Sequence, residues 1–305
     1  MEPPAVSIVI ATYNRSDVLA HAIRSVNTQT VTDWELLVIG DACTDGTAET
    51  VGAFRDERIR FVNRRGNHGE QSAPNNDGLS MARGRFIAFL NHDDLWYPDH
   101  LETGLAALER FGADLCYALR ATLHPDRSVS IEGSGAIRRG LLLEGVPAST
   151  WIYRRELTDR VGPWRSAFEL RLAPSQDWLV RALDSRAKIV CTDAISVLVV
   201  PSGNRDRAYV YTDPADVDAA LRLLNACPER ALLESTTSPA QQLRRPVRSV
   251  RRGVWLMVKT LIMVARYHPY PVKVVLCNGL GRGTFIRQLR KNRGLPPMPN
   301  RGHHG

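Results

Sequence analysis

Beyond Glu234 the chain of 305 residues has no aspartate or glutamate at all, although 14 arginines and lysines lie between Arg244 and Arg301. Residues 1–234 hold 26 basic and 32 acidic side chains, so the formal charge of +8 joins a net-acidic body to a basic tail. That asymmetry implies an anionic partner for the tail: a membrane surface, a phosphorylated substrate or nucleic acid. Cysteine is also scarce. Cys43, Cys116, Cys191, Cys227 and Cys277 are scattered, odd in number and without CxxC spacing. This speaks against a zinc site and a disulfide framework and favours a reducing, cytoplasmic setting. No apolar run reaches the ~18–20 residues of a spanning helix. The nearest, residues 254–265, is broken by Lys259. Glu2 and two prolines ahead of the first strand do not read as a secretory leader. No GxGxxG follows the first apolar run and no GxxxxGK(S/T) occurs, which disfavours a dinucleotide oxidoreductase and a P-loop NTPase. No internal repeat is evident.

What is present reads as an α/β protein. With 44% hydrophobic and 24% charged residues the composition excludes wholesale disorder, collagen and coiled coil. Residues 6–11, VSIVIA, form a β-branched run expected to be a buried strand. Val18, Leu19, Ala22, Ile23 and Val26 then recur at helical spacing. Strands are expected at 34–40, 58–63 and 84–91, helices at 48–54, 78–82 and 100–111, and a Gly- and Asn-rich loop at 66–76. The alternation calls for a mostly parallel, helix-covered sheet. Further on, 115–122 and 128–132 read as a hairpin, and strands at 151–154 and 189–200 bracket a helix near 177–184. An amphipathic helix is expected at 215–226, a linker at 236–242, a basic helix at 247–267 and a disordered end.

In open α/β sheets ligands bind at the carboxyl ends of the strands. Three apolar strands end there in polar residues: Thr12-Tyr13-Asn14, Asp41, and His92-Asp93-Asp94. Asp93 and Asp94 suit a hard cation, Mg²⁺ or Mn²⁺, that also touches phosphate; alone, the pair reads equally as a helix cap and a solvated neighbour. Asp41 could accept hydrogen bonds from a base or ribose, or simply form the turn in DACTDGT. Tyr13 could stack on a base or anchor its loop.

The segments VSIVIATYNRSDVLAHAIRSVNTQTVTDWELLVIGDACTDGT and NNDGLSMARGRFIAFLNHDDLWYPDHL resemble a family 2 glycosyltransferase with a GT-A fold. The likeness is close over residues 5–110 and weaker to about 210. It implies a nucleotide-diphospho-sugar transferase: a Rossmann-like sheet with helices on both faces, a catalytic domain over 1–212 (nucleotide half 1–112, acceptor half 113–212) and a helical, basic extension over 213–305. Such enzymes move a sugar from a nucleoside diphosphate sugar, most often UDP-linked, to a hydroxyl with inversion. By the same resemblance Thr12, Tyr13, Asp41, Asn76 and Asp93 meet the donor, and Asp93 with Asp94 holds the divalent metal. Asp177 in SQDWLVRAL is the catalytic base, where Gln176 replaces the usual Glu, and Arg181 could orient it. Arg205 or Arg207 faces the diphosphate or acceptor. This chain departs from the family pattern at Gly40 and Asn91, where an acid is usual, and at Asn75, where an Arg usually faces phosphate; Arg83 or Arg85 could compensate or stand as surface residues.

The tail offers two readings. Its apolar stripe, Val247, Val250, Val254, Met257 and Val258, suits a helix lying on anionic lipid or one docked on the catalytic domain. Residues 281–295 could meet acceptor phosphate. No nucleic-acid module is present. The acceptor is expected to be a lipid-linked or polysaccharide hydroxyl in envelope synthesis, or a soluble molecule. A nucleotidyltransferase and a non-catalytic nucleotide-sugar-binding or scaffold protein are the competing readings.

Overall fold

The computed structural model describes residues 2–200, 214–225, 268–278 and 281–297. The expectations for Arg205, Arg207, the linker at 236–242, the basic helix at 247–267 and the last residues fall outside these. The first half runs β1 (Val6–Thr12), α1 (Ser16–Asn27), β2 (Trp34–Gly40), α2 (Thr47–Gly52), β3 (Ile59–Asn63), α3 (Ser72–Met81) and β4 (Phe86–Phe89). These strands lie in the order β3-β2-β1-β4 and every pairing is parallel. The sheet then becomes mixed. The chain continues through β5 (Leu95–Trp96), α4 (His100–Phe111), β6 (Leu115–Leu123), β7 (Val129–Glu132), a small β8–β9 ribbon (Ile137–Arg138 and Leu141–Leu142), β10 (Trp151–Arg154), α5 (Glu156–Val161), α6 (Pro174–Asp184) and β11 (Ile189–Val199). β10 runs antiparallel between β4 and β6, β11 pairs parallel with β6 and antiparallel with β5, and β7 completes the expected hairpin with β6.

Alternation along β1 and β2 divides the core. Ile8, Ile10, Leu36 and Val38 pack on one face with Leu19, Ile23, Val26, Leu101 and Leu108 of α1 and α4. Val9, Leu37 and Ile39 face the other way, into a cluster with Phe89, Trp151, Tyr153, Trp178 and Leu179. With both faces covered, the strands read as continuous apolar runs rather than alternating ones. Trp178 of α6 stacks on Trp151 at 5.8 Å between ring centroids and meets Tyr153 at 5.0 Å, which fixes α6 against the sheet.

α3 differs from expectation: it starts at Ser72, inside the segment read as a loop. Pro74 is tolerated because it falls in the first turn, while Asn75, Asn76 and Gly78 lower the helix propensity and hide the element. Packing decides it. A Cβ on Gly78 would lie 2.4 Å from Val9 Cγ1, so only glycine lets the helix sit this close to β1. At the opposite edge from the strand carboxyl ends, buried Glu35 accepts hydrogen bonds from Ser7 Oγ at 2.6 Å, Arg83 N at 2.8 Å and Arg83 Nε at 3.0 Å. Arg83 is therefore part of the scaffold, and Arg85 pairs with Glu109 at 3.6 Å.

C-terminal to the sheet, α7 (Pro214–Asn225) lies against β11, and α8 (Pro269–Asn278) meets the β8–β9 ribbon. His268, just before α8, sits 3.0 Å from Asp184 and accepts from Leu142 N at 3.2 Å. α9 (Thr284–Asn292) is the last described helix.

Two outcomes follow from this packing. Gly78→Ala overpacks the α3–β1 contact and is expected to cost about 1–3 kcal/mol in urea denaturation. Burial alone would raise the Glu35 pKa, but hydrogen bonds from Ser7 and Arg83 and the Arg83 charge hold it below 4.5. The stability it supplies is present above that value and lost as pH falls through the lowered pKa. Glu35→Gln should lower the urea midpoint at neutral pH, with the gap from wild type closing in acid. An equal gap at both pH values would remove Glu35 from the acid response.

Candidate active site

Parallel pairing sets Thr12 opposite Gly40, and Val9 opposite Phe89, so the loops after β1, β2 and β4 emerge on one edge. Asn14 and Ala42 take positive φ values of 48° and 61° directly after the strands. Asn14 Oδ1 accepts from Thr44 N at 2.8 Å, which ties the first two loops together. Between the loops lies a pocket of about 210 Å³ lined in part by Thr12, Tyr13, Asp41, Asn91, His92 and Asp93. Thr12 Oγ1 is buried and, among the described residues, has no hydrogen-bond partner. An orphaned buried hydroxyl costs about 1–3 kcal/mol.

Asp41 lines the pocket, but the protein already uses its carboxylate. Oδ1 accepts from Arg64 Nη1 at 2.8 Å and from His68 N at 2.8 Å; Oδ2 accepts from Gly69 N at 2.8 Å and from His68 N at 2.9 Å. These bonds form a knot that shapes the 64–71 loop. Asn67 Nδ2 adds a bond to the Asp41 carbonyl at 2.9 Å. Gly40, where an acid was expected by resemblance, has no room for one: a Cβ there would lie 2.6 Å from Asn63 Oδ1. Asn76 is likewise committed. Its amide donates to Trp164 O and accepts from Trp164 N, both at 2.9 Å, so it braces the 163–173 segment and does not line the pocket. Asn75 is buried in α3.

The β4 loop separates its two aspartates. Asp93 is half-buried and lines the pocket. Asp94 turns into the scaffold, accepting from Ser149 Oγ at 2.6 Å, Asn91 Nδ2 at 2.8 Å and Val200 N at 3.1 Å. Burial first, then the Asp93 charge, pushes the Asp94 pKa up to about 7 against those bonds. Asp94 thus shapes the loop, and Asp93 is the member of the pair that lines the pocket. His92 is held at Ala11 O, 3.2 Å from Nδ1. Burial brings its pKa down to about 4; Asp93 opposes this and Arg15 and Arg293 add to it, so the ring is neutral at neutral pH. Among the described residues no three His, Cys, Asp or Glu side chains gather to hold a metal ion. Asp93 by itself still suits a hard divalent ion, which takes its other ligands from water and phosphate.

The start of α6 forms another wall through Ala173 and Pro174. Asp177, in the first turn, accepts from Arg181 Nε at 2.9 Å and faces Arg165 at 3.7 Å. Arg181 also donates to Val161 O at 2.5 Å and Pro163 O at 2.8 Å, so the carboxylate is fixed in direction. Gln176 bonds both the N and O of Val146 and holds the helix start. Asp177 itself does not line the pocket; it lies one turn beyond Pro174.

The last wall comes from the 281–295 segment, which the sequence offered to acceptor phosphate without placing it on this pocket. Phe285, Ile286, Leu289, Arg290 and Arg293, on or just past α9, also line the pocket. The apolar triplet at helical spacing among arginines was the available signal, and it pointed to an amphipathic helix without saying where it docks.

A doubly wound sheet with a crevice at its carboxyl edge is the architecture in which α/β proteins bind nucleotides and related ligands. A family model described as Glycosyl transferase family 2 matches residues 7–161, half of the chain, and the chain belongs to that family. It is 38% identical over 104 residues to the putative teichuronic acid biosynthesis glycosyltransferase TuaG of Bacillus subtilis, covering 33% of this chain and 41% of that one. It is 36% identical over 117 residues to the Escherichia coli UDP-Glc:alpha-D-GlcNAc-diphosphoundecaprenol beta-1,3-glucosyltransferase WfgD, covering 38% and 46%. The matches thus span less than half the length of these relatives. The fold resembles S. aureus TarS 1-349, solved in complex with UDP-GlcNAc, with a TM-score of 0.55 at 21% identity over 73% of this chain and 65% of that one.

Asp41→Asn replaces an acceptor oxygen with a donor that faces backbone N–H groups. It is expected to lower stability without nucleotide by about 1–3 kcal/mol, read by thermal denaturation. Unchanged stability would return Asp41 to a purely ligand-facing role.

Proposed function

We propose that the protein is an inverting glycosyltransferase that moves a sugar from a nucleoside diphosphate sugar, UDP-linked, to a hydroxyl acceptor in envelope polysaccharide or glycolipid assembly. One observation carries this reading: Thr12, Tyr13 and Asp93 share a pocket with the start of the helix that bears Asp177. The names of the relatives support the envelope setting. No described helix is long and apolar enough to cross a membrane. A lipid-linked acceptor would be met at the surface, with the basic tail against anionic lipid.

Each residue then has a chemical task. Tyr13 gives the base a flat face to stack on. Thr12 donates its hydroxyl to the nucleotide. Asp93 would hold a divalent ion, Mn²⁺ or Mg²⁺. When bound, that ion neutralises charge on the departing diphosphate. Asp177 takes the proton of the acceptor hydroxyl as its oxygen attacks the anomeric carbon from the face opposite the leaving group. The new C–O bond forms, the bond to the diphosphate breaks, and the nucleoside diphosphate leaves. Arg181 keeps the Asp177 carboxylate aimed through its Nε bond at 2.9 Å.

The test is calorimetric titration of UDP, GDP and TDP with and without Mn²⁺. One nucleotide should bind, and its affinity should fall sharply without metal; no binding of any would overturn the reading. Asp93→Ala should remove the metal-dependent part of binding. Asp177→Asn should keep donor binding and lose turnover by about 10²–10⁴-fold. Full activity in Asp177→Asn would place the base elsewhere.

A further inference from the structure

The C-terminal helix α9 sits on the pocket rather than on a remote face, and its attachments define what it can do there. Arg290, 6% exposed, donates from Nη1 to Gly69 O and from Nη2 to Pro296 O, both at 2.8 Å. At the other end of the helix Gly283 N donates to Leu170 O at 2.7 Å. α9 therefore bridges the 64–71 loop, shaped by Asp41, to the segment that leads into α6. Ile286 is buried beneath it, so the helix is seated by apolar contact as well.

The charge around the pocket makes this position meaningful. Three carboxylates line it: Asp41, Glu70 and Asp93. Asp41 is paired with Arg64, and Glu70 lies 3.0 Å from His68 Nε2. Among the described residues that line the pocket, the only arginines or lysines are Arg290 and Arg293. Arg290 anchors the helix to two carbonyls. Arg293 closes the helix beside His92 and Asp93, near enough for its charge to act on the His92 ring. A nucleoside diphosphate brings two or three negative charges into this space, and a planar guanidinium is the side chain best matched to phosphate oxygens.

Resting on the proposed donor reading, we infer that α9 is the roof of the donor site and that Arg293 binds the diphosphate. The segment with no acidic residues then has a local task in addition to any partner of its longer stretch: it completes the pocket by adding cation to a site whose floor is anionic. Arg290 is a positioning residue in this arrangement, holding the roof to the loop.

The experiment uses the full chain. Whichever of UDP, GDP and TDP binds wild type is titrated, beside its parent nucleoside, into wild type, Arg293→Gln and Arg293→Lys, with thermal denaturation to verify folding. Arg293→Gln should weaken the diphosphate by roughly 10- to 100-fold and leave the nucleoside unchanged, and Arg293→Lys should recover part of the loss. Unchanged diphosphate affinity in Arg293→Gln overturns the assignment. Equal losses for diphosphate and nucleoside also overturn it, because they indicate that Arg293 only holds the roof in place. If wild type binds no nucleotide, the donor reading itself fails and this inference falls with it.

Discussion

The register of β1 between β2 and β4 is the constraint on which the rest of this structure depends. Each residue of β1 has a parallel partner in β2, and its first four also pair with β4. Because both faces of the sheet are covered, a slip of one residue would move Ile8 and Ile10 into the space of Val9 and reverse every neighbour. The register is therefore held by packing, and with it the coincidence of three strand ends. Thr12, Asp41 and His92 reach one edge for that reason alone.

A second dependence runs through a single carboxylate. Asp41 collects one guanidinium and two backbone amides, and the loop it shapes offers Gly69 O to Arg290. The pocket thus has a floor made by strand ends and a wall that is attached through a loop. Removing the knot would loosen a wall far away in sequence. The same economy appears at β4, where Asp94 accepts three bonds from Asn91, Ser149 and Val200 and leaves Asp93 on the pocket side. In both places a buried acid organises a loop that borders the pocket.

Much of the fold was legible in the sequence because its strands are buried on both faces. The apolar runs at 6–11 and 34–40 are bounded by turn residues and form strands buried along nearly their whole length. α4 and β10 match their expected bounds for the same reason: periodic apolar residues ended by Gly112 in one case, and a run of large side chains in the other. α3 was not legible at its start, since its sequence of Pro, Asn, Asn and Gly argues for a loop and only the close fit of Gly78 against Val9 makes a helix of it. The candidate site was legible as a set of strand ends, but not residue by residue. Asn76, Asp41 and Asp94 carry residue types that suit ligand contact, and each also hydrogen-bonds within the protein, to Trp164, Arg64 and Ser149.

The sequence by itself determined the alternating α/β class, the family, the edge where the site lies and the contrast between an acidic body and a basic tail. These rest on local periodicity and composition, which need no knowledge of what meets what. Only the tertiary structure decided which polar groups face the pocket, because that depends on which donors arrive from elsewhere in the chain. It also decided that α9, more than 200 residues beyond the 64–71 loop it touches, closes the site. An amphipathic helix announces that it will bury one face; the surface it buries against is chosen by shape and charge in three dimensions.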